Sequence, residues 1–258
     1  FGGGFCKIQT ESNKYGVDNL EIVKEKYKTN SVRSICQAGD NEFWMGIIGF
    51  GMIKYNLETQ NCVNYVDIPE FKSLSYTSTV DAIIKRKNGE ICFGTWNAGL
   101  WFYNETDRKI TLLNQYVNRK FKDDCIHVLR EDSEGNLWIG TRKGVYILDA
   151  QGQFYTLSEW LHFDTDLVSS NIFDIKEDQE KNIWIATNYE GVSRINLSTR
   201  QYKKYAVNGK KEIYNTNCLL VDSHQRIWVG TMWSGLAYYQ KETDSFVTVS
   251  SISTIENK

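Results

Sequence analysis

Five short segments along the chain share one pattern of apolar and small residues. In each, an anchor residue lies between two apolar residues and is followed two positions later by glycine or alanine. The anchors are Trp44, Cys92, Trp138, Trp184 and Trp228. Their spacings are 48, 46, 46 and 44 residues. Self-similarity at a nearly fixed period predicts a protein built from structural repeats.

The residues around each anchor predict four short β-strands, here named A to D. Strand A holds a pair of mostly apolar residues twelve and nine positions before the anchor: Val32/Ile35, Val80/Ile83, Ile126/Leu129, Ile172/Ile175 and Thr216/Leu219. Strand B holds the anchor, and strand C opens with a glycine six or seven positions later: Gly51, Gly99, Gly144, Gly191 or Gly235. After a polar turn, strand D completes the unit. Four strands in about 40 to 50 residues are typical of a β-propeller blade, in which the tryptophan would fill the core between blades.

Turn residues support this interpretation. Asp132, Asp178 and Asp222 each precede their anchor by six positions, and an aspartate there can accept hydrogen bonds from backbone amides two residues on. The first two copies have Ala38 and Arg86 instead. We expect the glycine of strand B to let a neighbouring backbone approach closely. The glycine that opens strand C is expected to adopt unusual backbone angles.

The composition agrees with a packed all-β protein. Hydrophobic residues make up 41% of the chain, charged residues 24% and aromatic residues 14%, and proline occurs once. The 30 basic and 32 acidic residues give a net charge of −2, which argues against a nucleic-acid partner. No run approaches about 18 consecutive apolar residues, so we expect no membrane-spanning segment in this chain.

Three segments closely resemble a known repeat. The stretches 132–141, 178–187 and 222–231 are very similar to the two-component regulator propeller repeat, and the resemblance extends over five copies and nearly the whole chain. That repeat builds the periplasmic sensor region of hybrid two-component histidine kinases in Bacteroidetes. The resemblance therefore implies a periplasmic module that senses a ligand, commonly a glycan fragment. The rest of the receptor would pass the signal across the inner membrane, because this chain has no kinase, receiver or DNA-binding segment.

The B–C loops are the candidate binding site. In propellers the B–C and D–A connections lie on one face, around the mouth of the central channel, so a site inferred there rests on fold analogy. These loops vary most between the copies and hold aromatic, amide and charged side chains, which suit the apolar faces and polar rims of sugar rings. The candidate ligand contacts are Trp96, Asn97, Arg142, Asn188, Tyr189, Glu190, Met232 and Trp233.

The D–A connections are long and also aromatic, and long loops often carry function. Their aromatic residues are Phe71, Tyr76, Tyr116, Trp160, Phe163 and Tyr214. The alternative is that each loop aromatic residue, in the B–C loops as in the D–A connections, packs a loop onto the blade. For the charged residues, the alternative is that Arg142 and Lys143 pair with Glu190 or with aspartates on the same rim, where an exposed pair contributes little.

The sequence offers little chemistry for catalysis, a metal or a cofactor. The three histidines fall in a strand A (His127), a D–A loop (His162) and an A–B turn (His224), without the spacing of a zinc site. No nucleophile elbow, phosphate-binding loop or dinucleotide motif occurs. Glu190 is the only carboxylate in the B–C loops. The six cysteines follow no disulfide framework, and we expect them to be buried as small apolar residues.

Three functions are therefore compared. A ligand-sensing module that binds an oligosaccharide or another small molecule without turnover is favoured by the resemblance and by the loop chemistry. A propeller enzyme such as a lyase is the second, because streptogramin lyases carry distantly similar repeats; it would require a constellation such as His162 beside Glu190. The third is a protein-interaction scaffold or homodimer, which no sequence feature locates.

The length predicts an incomplete ring. We expect blades at about residues 31–78, 79–123, 124–169, 170–213 and 214–250, preceded by a half blade in residues 1–30. In that half blade, residues 4–8 align with strand C and residues 22–27 with strand D. We expect a fragment of a longer chain, part of a seven-bladed ring that lacks about one and a half blades. Blade faces left uncovered would be apolar and prone to association.

Overall fold

The computed structural model describes residues 6–11, 14–19, 31–65, 71, 79–113, 125–165, 167, 170–205, 216–233 and 235–249. Contacts group the chain into two compact units, Phe1–Ile126 and His127–Lys258. The predicted all-β propeller architecture is confirmed: five four-stranded antiparallel sheets follow one another, and in each sheet every strand pairs with the next in sequence.

The first unit contains a hairpin and two of the sheets. The hairpin is β1 (Cys6–Glu11) and β2 (Lys14–Asn19), with Cys6 opposite Asn19. The first sheet comprises β3 (Val32–Gln37), β4 (Glu42–Ile47), β5 (Gly51–Asn56) and β6 (Cys62–Asn64). The second comprises β7 (Val80–Lys85), β8 (Ile91–Thr95), β9 (Leu100–Asn104) and β10 (Lys109–Leu112). The strand predicted at residues 22–27 lies outside the described residues.

The second unit contains three sheets and one short helix. The third sheet comprises β11 (Ile126–Glu131), β12 (Leu137–Thr141), β13 (Gly144–Leu148) and β14 (Phe154–Thr156), and α1 (Leu157–Leu161) follows it. The fourth sheet comprises β15 (Ile172–Glu177), β16 (Asn182–Thr187), β17 (Val192–Asn196) and β18 (Tyr202–Tyr205). The fifth comprises β19 (Thr216–Val221), β20 (Ile227–Thr231), β21 (Leu236–Gln240) and β22 (Ser245–Thr248).

Three of the four anchor tryptophans fill the space between sheets, as predicted, whereas Trp228 of the fifth sheet is only half-buried. Trp138 lies in one apolar cluster with Ile183 and Ile185 of the fourth sheet. Trp184 lies in the next cluster, with residues of the fifth sheet such as Val229. Both tryptophan side chains are fully buried. Since truncating a buried tryptophan typically costs about 3 to 5 kcal/mol, each anchor contributes substantially to holding adjacent sheets together.

The prediction for the strand C glycines is confirmed, and close approach of a neighbouring backbone to the strand B glycine is confirmed at Gly46, whereas side chains approach the strand B glycines of the second, third and fifth sheets. A Cβ atom on Gly46 of β4 would lie 2.1 Å from the carbonyl oxygen of Val80, in the neighbouring second sheet. The glycines that open strand C have positive φ, for example +80° at Gly51 and +77° at Gly191. Other residues adopt that conformation only at a cost, so both glycine positions are fixed by backbone geometry.

The turn aspartate makes a contact that the sequence analysis did not foresee. Asp132, only 1% exposed, accepts hydrogen bonds from the backbone N–H groups of Glu134 and Asn136, at 2.9 and 2.8 Å. Its second oxygen accepts the indole N–H of Trp138 at 2.7 Å and the side-chain amide of Asn136 at 2.9 Å. The carboxylate thus stabilises the turn and at the same time provides a hydrogen-bond acceptor for the buried indole N–H of the anchor tryptophan.

The same carboxylate–indole bond recurs in the fourth and fifth sheets. Asp178 accepts the indole N–H of Trp184 at 2.7 Å, and Asp222 accepts that of Trp228 at 2.9 Å. Burial raises the pKa of Asp222, but hydrogen bonds from Trp228 and Arg226 outweigh that effect and hold it well below its usual value.

The first two sheets show what happens without this aspartate. In the second sheet Arg86 replaces the aspartate and Cys92 replaces the tryptophan, so the anchor position has no indole N–H that needs an acceptor. In the first sheet only the aspartate is missing, and the indole N–H of Trp44 is buried without a hydrogen-bond partner. A buried donor left unsatisfied costs about 1 to 3 kcal/mol. Ala38 therefore marks a weak point of the first sheet.

Substituting Ala38→Asp should stabilise the protein. The turn already contains the Ala38 N–H to Glu42 oxygen bond at 2.8 Å, equivalent to the Asp132 N–H to Asn136 oxygen bond, so the new carboxylate would face Trp44. We expect a gain of about 1 kcal/mol, or about 2 to 4 °C in melting temperature, measured by thermal denaturation followed by circular dichroism. Ala38→Asn is the matched control and should gain less. An unchanged or lower melting temperature for Ala38→Asp would contradict this account of the turn.

The cysteines differ in part from expectation. Cys92 and Cys125 are buried and Cys36 and Cys62 are half-buried, but Cys218 is exposed, so the prediction of burial is wrong there. Cys218 is exposed because it lies on the face of the fifth sheet that carries Trp228. On that face, Cys218, Leu220, Trp228 and Leu236 line an open apolar groove of about 430 Å³. The five cysteines with described side chains form no disulfide.

Candidate functional site

The last threonine of strand B shapes the B–C loops. In the fourth sheet, Thr187 Oγ1 donates to the carbonyl oxygen of Gly191 at 3.1 Å and accepts the backbone N–H of Glu190 at 2.9 Å. Thr95 makes the same two bonds in the second sheet, to Gly99 and from Ala98. Because the threonine satisfies the loop backbone internally, the side chains between it and the glycine project outward.

Each loop is also tied to the end of the D–A connection. The backbone N–H of Asn188 donates to the carbonyl oxygen of Asn171 at 3.0 Å, directly before β15. In the first unit, the Trp96 N–H donates in the same way to Thr79 at 2.9 Å. Within each of these sheets, therefore, the B–C loop and the start of strand A lie at the same end of the strands.

The predicted contact residues lie at these loops and face solvent to different degrees. In the first unit Trp96 is 49% exposed, and Asn97 is exposed beside it. In the second unit the exposed members are Trp233 at 78%, Tyr189 at 64%, Met232 at 54% and Arg142, whereas Asn188 and Glu190 are half-buried. An isolated exposed apolar residue is ordinary, but four large ones in equivalent loops form a recurrent feature.

Glu190, the carboxylate of the B–C loops, does not pair with Arg142 or Lys143, which was one of the predicted alternatives. Glu190 forms an ion pair with Lys204 of β18, in its own sheet, rather than with Arg142 or Lys143. Within the described part of the chain, no ion pair joins Arg142 or Lys143 to a carboxylate. The two cations are exposed in a two-residue turn, where the Lys143 N–H bonds Thr141 Oγ1 at 3.0 Å.

The D–A aromatics that the structure describes are mostly core residues. Phe71 is completely buried and contacts Phe93 and Tyr103, and Trp160 is buried against Trp138. The packing alternative therefore holds for both, and neither lines the ligand rim. Phe163 is exposed but lies edge-on to Tyr202, with ring centroids 6.3 Å apart. Tyr76, Tyr116 and Tyr214 lie outside the described residues.

A short helix explains the position of Trp160. Thr156 and Glu159 form a capping box at the start of α1: Thr156 Oγ1 accepts the Glu159 N–H at 3.3 Å, and Glu159 Oε2 accepts the Thr156 N–H at 2.9 Å. This helix turns Trp160 into the apolar cluster between the third and fourth sheets. The carbonyl oxygen of Trp160 accepts a bond of 2.6 Å from Arg200, in the C–D turn of the fourth sheet.

The histidines do not assemble a catalytic constellation with Glu190. His162 lies at 3.1 Å from the Arg200 guanidinium, whereas Glu190 pairs with Lys204. His224 lies in an A–B turn, as predicted. Across the ranges that the structure covers, no group of three or more histidine, cysteine or acidic side chains is placed to hold a metal ion. Those ranges also contain no helix long and apolar enough to cross a membrane.

Charged groups between the fourth and fifth sheets are engaged with one another. Asp244 accepts hydrogen bonds from the Tyr205 and Tyr239 hydroxyls at 2.7 and 2.5 Å and pairs with Lys203, while the Arg194 guanidinium stacks on both tyrosine rings. Burial and the bond to Asp244 raise the pKa of Tyr205. Burial acts against the ionised form of Asp244, yet its donors lower its pKa. This cluster joins the fourth and fifth sheets.

One structural feature near the rim was missed by the sequence analysis. In β15 the pairing with β16 shifts between Ile172 and Asp174, so Phe173 stands outside the ladder as a β-bulge. The same shift occurs at the second residue of three other A strands, leaving out Arg33, Asp81 and Asn217. The signal was present in the apolar pairs three residues apart, such as Val32 and Ile35, because residues on one face of a regular strand are two apart.

The fold and loops described above are those of a β-propeller repeat protein. Within that class, residues 120–143 and 166–189 match the family described as two component regulator propeller. These stretches include strand A, the aspartate turn and strand B of the third and fourth sheets. The matched repeat thus lies in the third and fourth sheets, and the predicted resemblance is confirmed.

Known proteins similar to the chain are mostly much longer. Histidine kinase P4 of Formosa agariphila is 27% identical over 195 residues, which cover 72% of this chain and 14% of that relative. The extracellular domain of a putative hybrid two component system from B. thetaiotaomicron is 19% identical with a TM-score of 0.63, covering 89% of this chain and 28% of that one. A virginiamycin B lyase from Staphylococcus aureus is 14% identical with a TM-score of 0.65, covering 90% and 72%. These two solved structures share the fold.

Proposed function

We propose that the chain is the ligand-sensing module of a periplasmic two-component receptor and binds an oligosaccharide at its B–C loops. The observation that carries this proposal is the set of large exposed side chains at equivalent loop positions, led by Tyr189 and Trp233. The similarity to a histidine kinase and to the extracellular domain of a hybrid two component system supports the signalling role. The remainder of the receptor would be the partner that converts binding into a signal.

The loop chemistry of the second unit suits a carbohydrate. Exposed rings such as Tyr189 and Trp233 can stack on the apolar face of a sugar and bury a large area per side chain. The Asn188 amide and the Arg142 guanidinium can bond hydroxyl oxygens. Binding of this kind requires no proton transfer and no nucleophile, so the site needs only to hold the ligand.

A lyase is less well supported by the same residues. The fold shared with virginiamycin B lyase allows such a function, but a shared fold does not carry a mechanism. His162 contacts Arg200 and Glu190 contacts Lys204, so the acid–base pair that an enzyme would need is not assembled from these groups.

Removing the exposed rings should weaken binding. The intact protein would be titrated calorimetrically with a panel of neutral and uronate-containing oligosaccharides to find one that binds. For that oligosaccharide, Tyr189→Ala and Trp233→Ala should each raise Kd by about tenfold or more, because each removes a stacking surface. Mass spectrometry should recover the oligosaccharide unchanged.

The control is Leu220→Ala, which removes an equally exposed apolar side chain from a sheet face away from the loops. Its Kd should stay within about twofold of the unsubstituted protein. The proposal fails if no oligosaccharide binds, or if the two loop variants bind as tightly as the control. Cleavage of the oligosaccharide would instead support the enzyme.

A further inference from the structure

The bulged residues of the A strands form a chemically varied series on a constant scaffold. In β3, β7, β15 and β19 the bulge falls at the second residue, and His127 holds the equivalent position in β11. The residue before it is always β-branched: Val32, Val80, Ile126, Ile172 or Thr216. The residue at this position is arginine, aspartate, histidine, phenylalanine or asparagine in turn. This variation contrasts with the constant β-branched residue directly before it.

In each unit, one pair of side chains at this position reaches from one sheet to the next. In the first unit, Arg33 Nε lies 3.1 Å from Asp81 Oδ1, whose side chain is almost completely buried. In the second unit, the His127 and Phe173 rings stack with centroids 5.9 Å apart and an interplanar angle of 20°. Strand A is an edge strand of each sheet, and these side chains point along its unpaired edge toward the equivalent residue of the next sheet. Bulges often redirect side chains in this way beside binding sites.

This edge adjoins the candidate loops. Asn171, whose carbonyl oxygen holds the Asn188 N–H, is two residues before Phe173, which is a backbone distance of about 7 Å. Phe173 and the loop residue Tyr189 therefore belong to the same end of the fourth sheet. His127 and Phe173 are half-buried and Asn217 is exposed, so all three retain accessible surface.

We propose that His127, Phe173 and Asn217 form an inner subsite that takes one neutral pyranose ring of the ligand. The stacked His127–Phe173 pair offers an apolar aromatic surface, and the Asn217 amide offers both a donor and an acceptor for hydroxyl groups. The inference rests on the proposed function and deepens it. The loop residues hold the outer part of the oligosaccharide, and the bulged residues determine which sugar is accepted.

The test uses the same oligosaccharide panel with the intact protein. Phe173→Ala and His127→Ala should raise Kd for the best neutral oligosaccharide by about tenfold, and Asn217→Ala by about fivefold. His224→Ala and Phe163→Ala are the matched controls, since they remove the same ring types from outside the site, and should leave Kd within about twofold. Because Phe173 is half-buried, Phe173→Leu serves as a second variant that keeps an apolar side chain there while removing the aromatic face. Asn217→Ala alters only an exposed side chain.

The outcomes separate the inner subsite from the proposed function. Loss of affinity in the bulge variants, with folding intact by circular dichroism, supports the subsite. Loss of affinity in Tyr189→Ala and Trp233→Ala with unchanged Kd in Phe173→Leu and Asn217→Ala overturns the subsite and leaves the sensor proposal standing. A panel with no binder overturns both. A preference for uronate-containing oligosaccharides that survives in all bulge variants overturns the assignment of a neutral ring.

Discussion

Replacing Asp132 by alanine should lower the free energy of unfolding by about 3 to 4 kcal/mol. The carboxylate is almost completely buried and accepts four hydrogen bonds, two of them from backbone N–H groups. Its loss leaves the indole N–H of Trp138 without an acceptor in an environment with no exposed surface. An unsatisfied buried donor costs about 1 to 3 kcal/mol, and the lost turn bonds add to that cost.

The measurement is chemical denaturation followed by tryptophan fluorescence and far-ultraviolet circular dichroism. Asp107→Ala is the control, because Asp107 is exposed in a C–D turn and receives one side-chain bond of 3.2 Å from Asn104; its effect should stay within about 0.5 kcal/mol. If Asp132→Ala were as stable as Asp107→Ala, the carboxylate–indole bond would not be a structural support of the repeat. Together with Ala38→Asp, the pair tests the same interaction by removal and by addition.

The repeat made much of the fold predictable from the sequence. A blade is a local meander, so each strand pairs with its neighbour in the chain, and the anchor residues alone place strand B in all five sheets. The positions of Gly46 and Gly51 also followed, because close approach and positive φ each require glycine. The indole bond of Asp132 was missed although its six-residue spacing from Trp138 was visible, since a turn role already explained the aspartate.

The candidate site was less predictable because it depends on contacts between distant residues. Trp160 has the sequence of a loop aromatic, yet α1 turns it into the core, and only the Thr156–Glu159 capping box hinted at a helix there. For Glu190, the sequence suggested Arg142 or Lys143 of another loop as a pairing alternative, whereas its partner is Lys204, which strand pairing within the fourth sheet brings beside it. The three-residue spacing of the apolar pairs is a sequence sign of the bulges. It can be recognised as such only when the pairing of strand A with strand B is known.

Replacing Gly46 by alanine should destabilise the protein by about 3 kcal/mol, the second large effect. The added methyl group would lie 2.1 Å from the carbonyl oxygen of Val80 and 2.4 Å from the hydroxyl of Ser34, which itself donates to that carbonyl at 3.0 Å. The nearest obstacle is backbone, so it cannot swing aside as a side-chain tip can. The first and second sheets would have to separate at this point, and forced overpacking of a close-packed region typically costs about 1 to 3 kcal/mol.

Two glycines of the same sheet separate this clash from other effects of the substitution. At Gly39 an added Cβ would have its nearest neighbours at 3.9 Å, so Gly39→Ala should be close to neutral. At Gly49 the space is open but φ is +75°, so Gly49→Ala should show the conformational cost alone, about 1 kcal/mol. We therefore expect the order of stability Gly39→Ala, then Gly49→Ala, then Gly46→Ala in denaturation experiments. If Gly46→Ala matched Gly39→Ala, the close contact between the first and second sheets would be wrong, since no rotation of an alanine side chain can relieve a clash at Cβ.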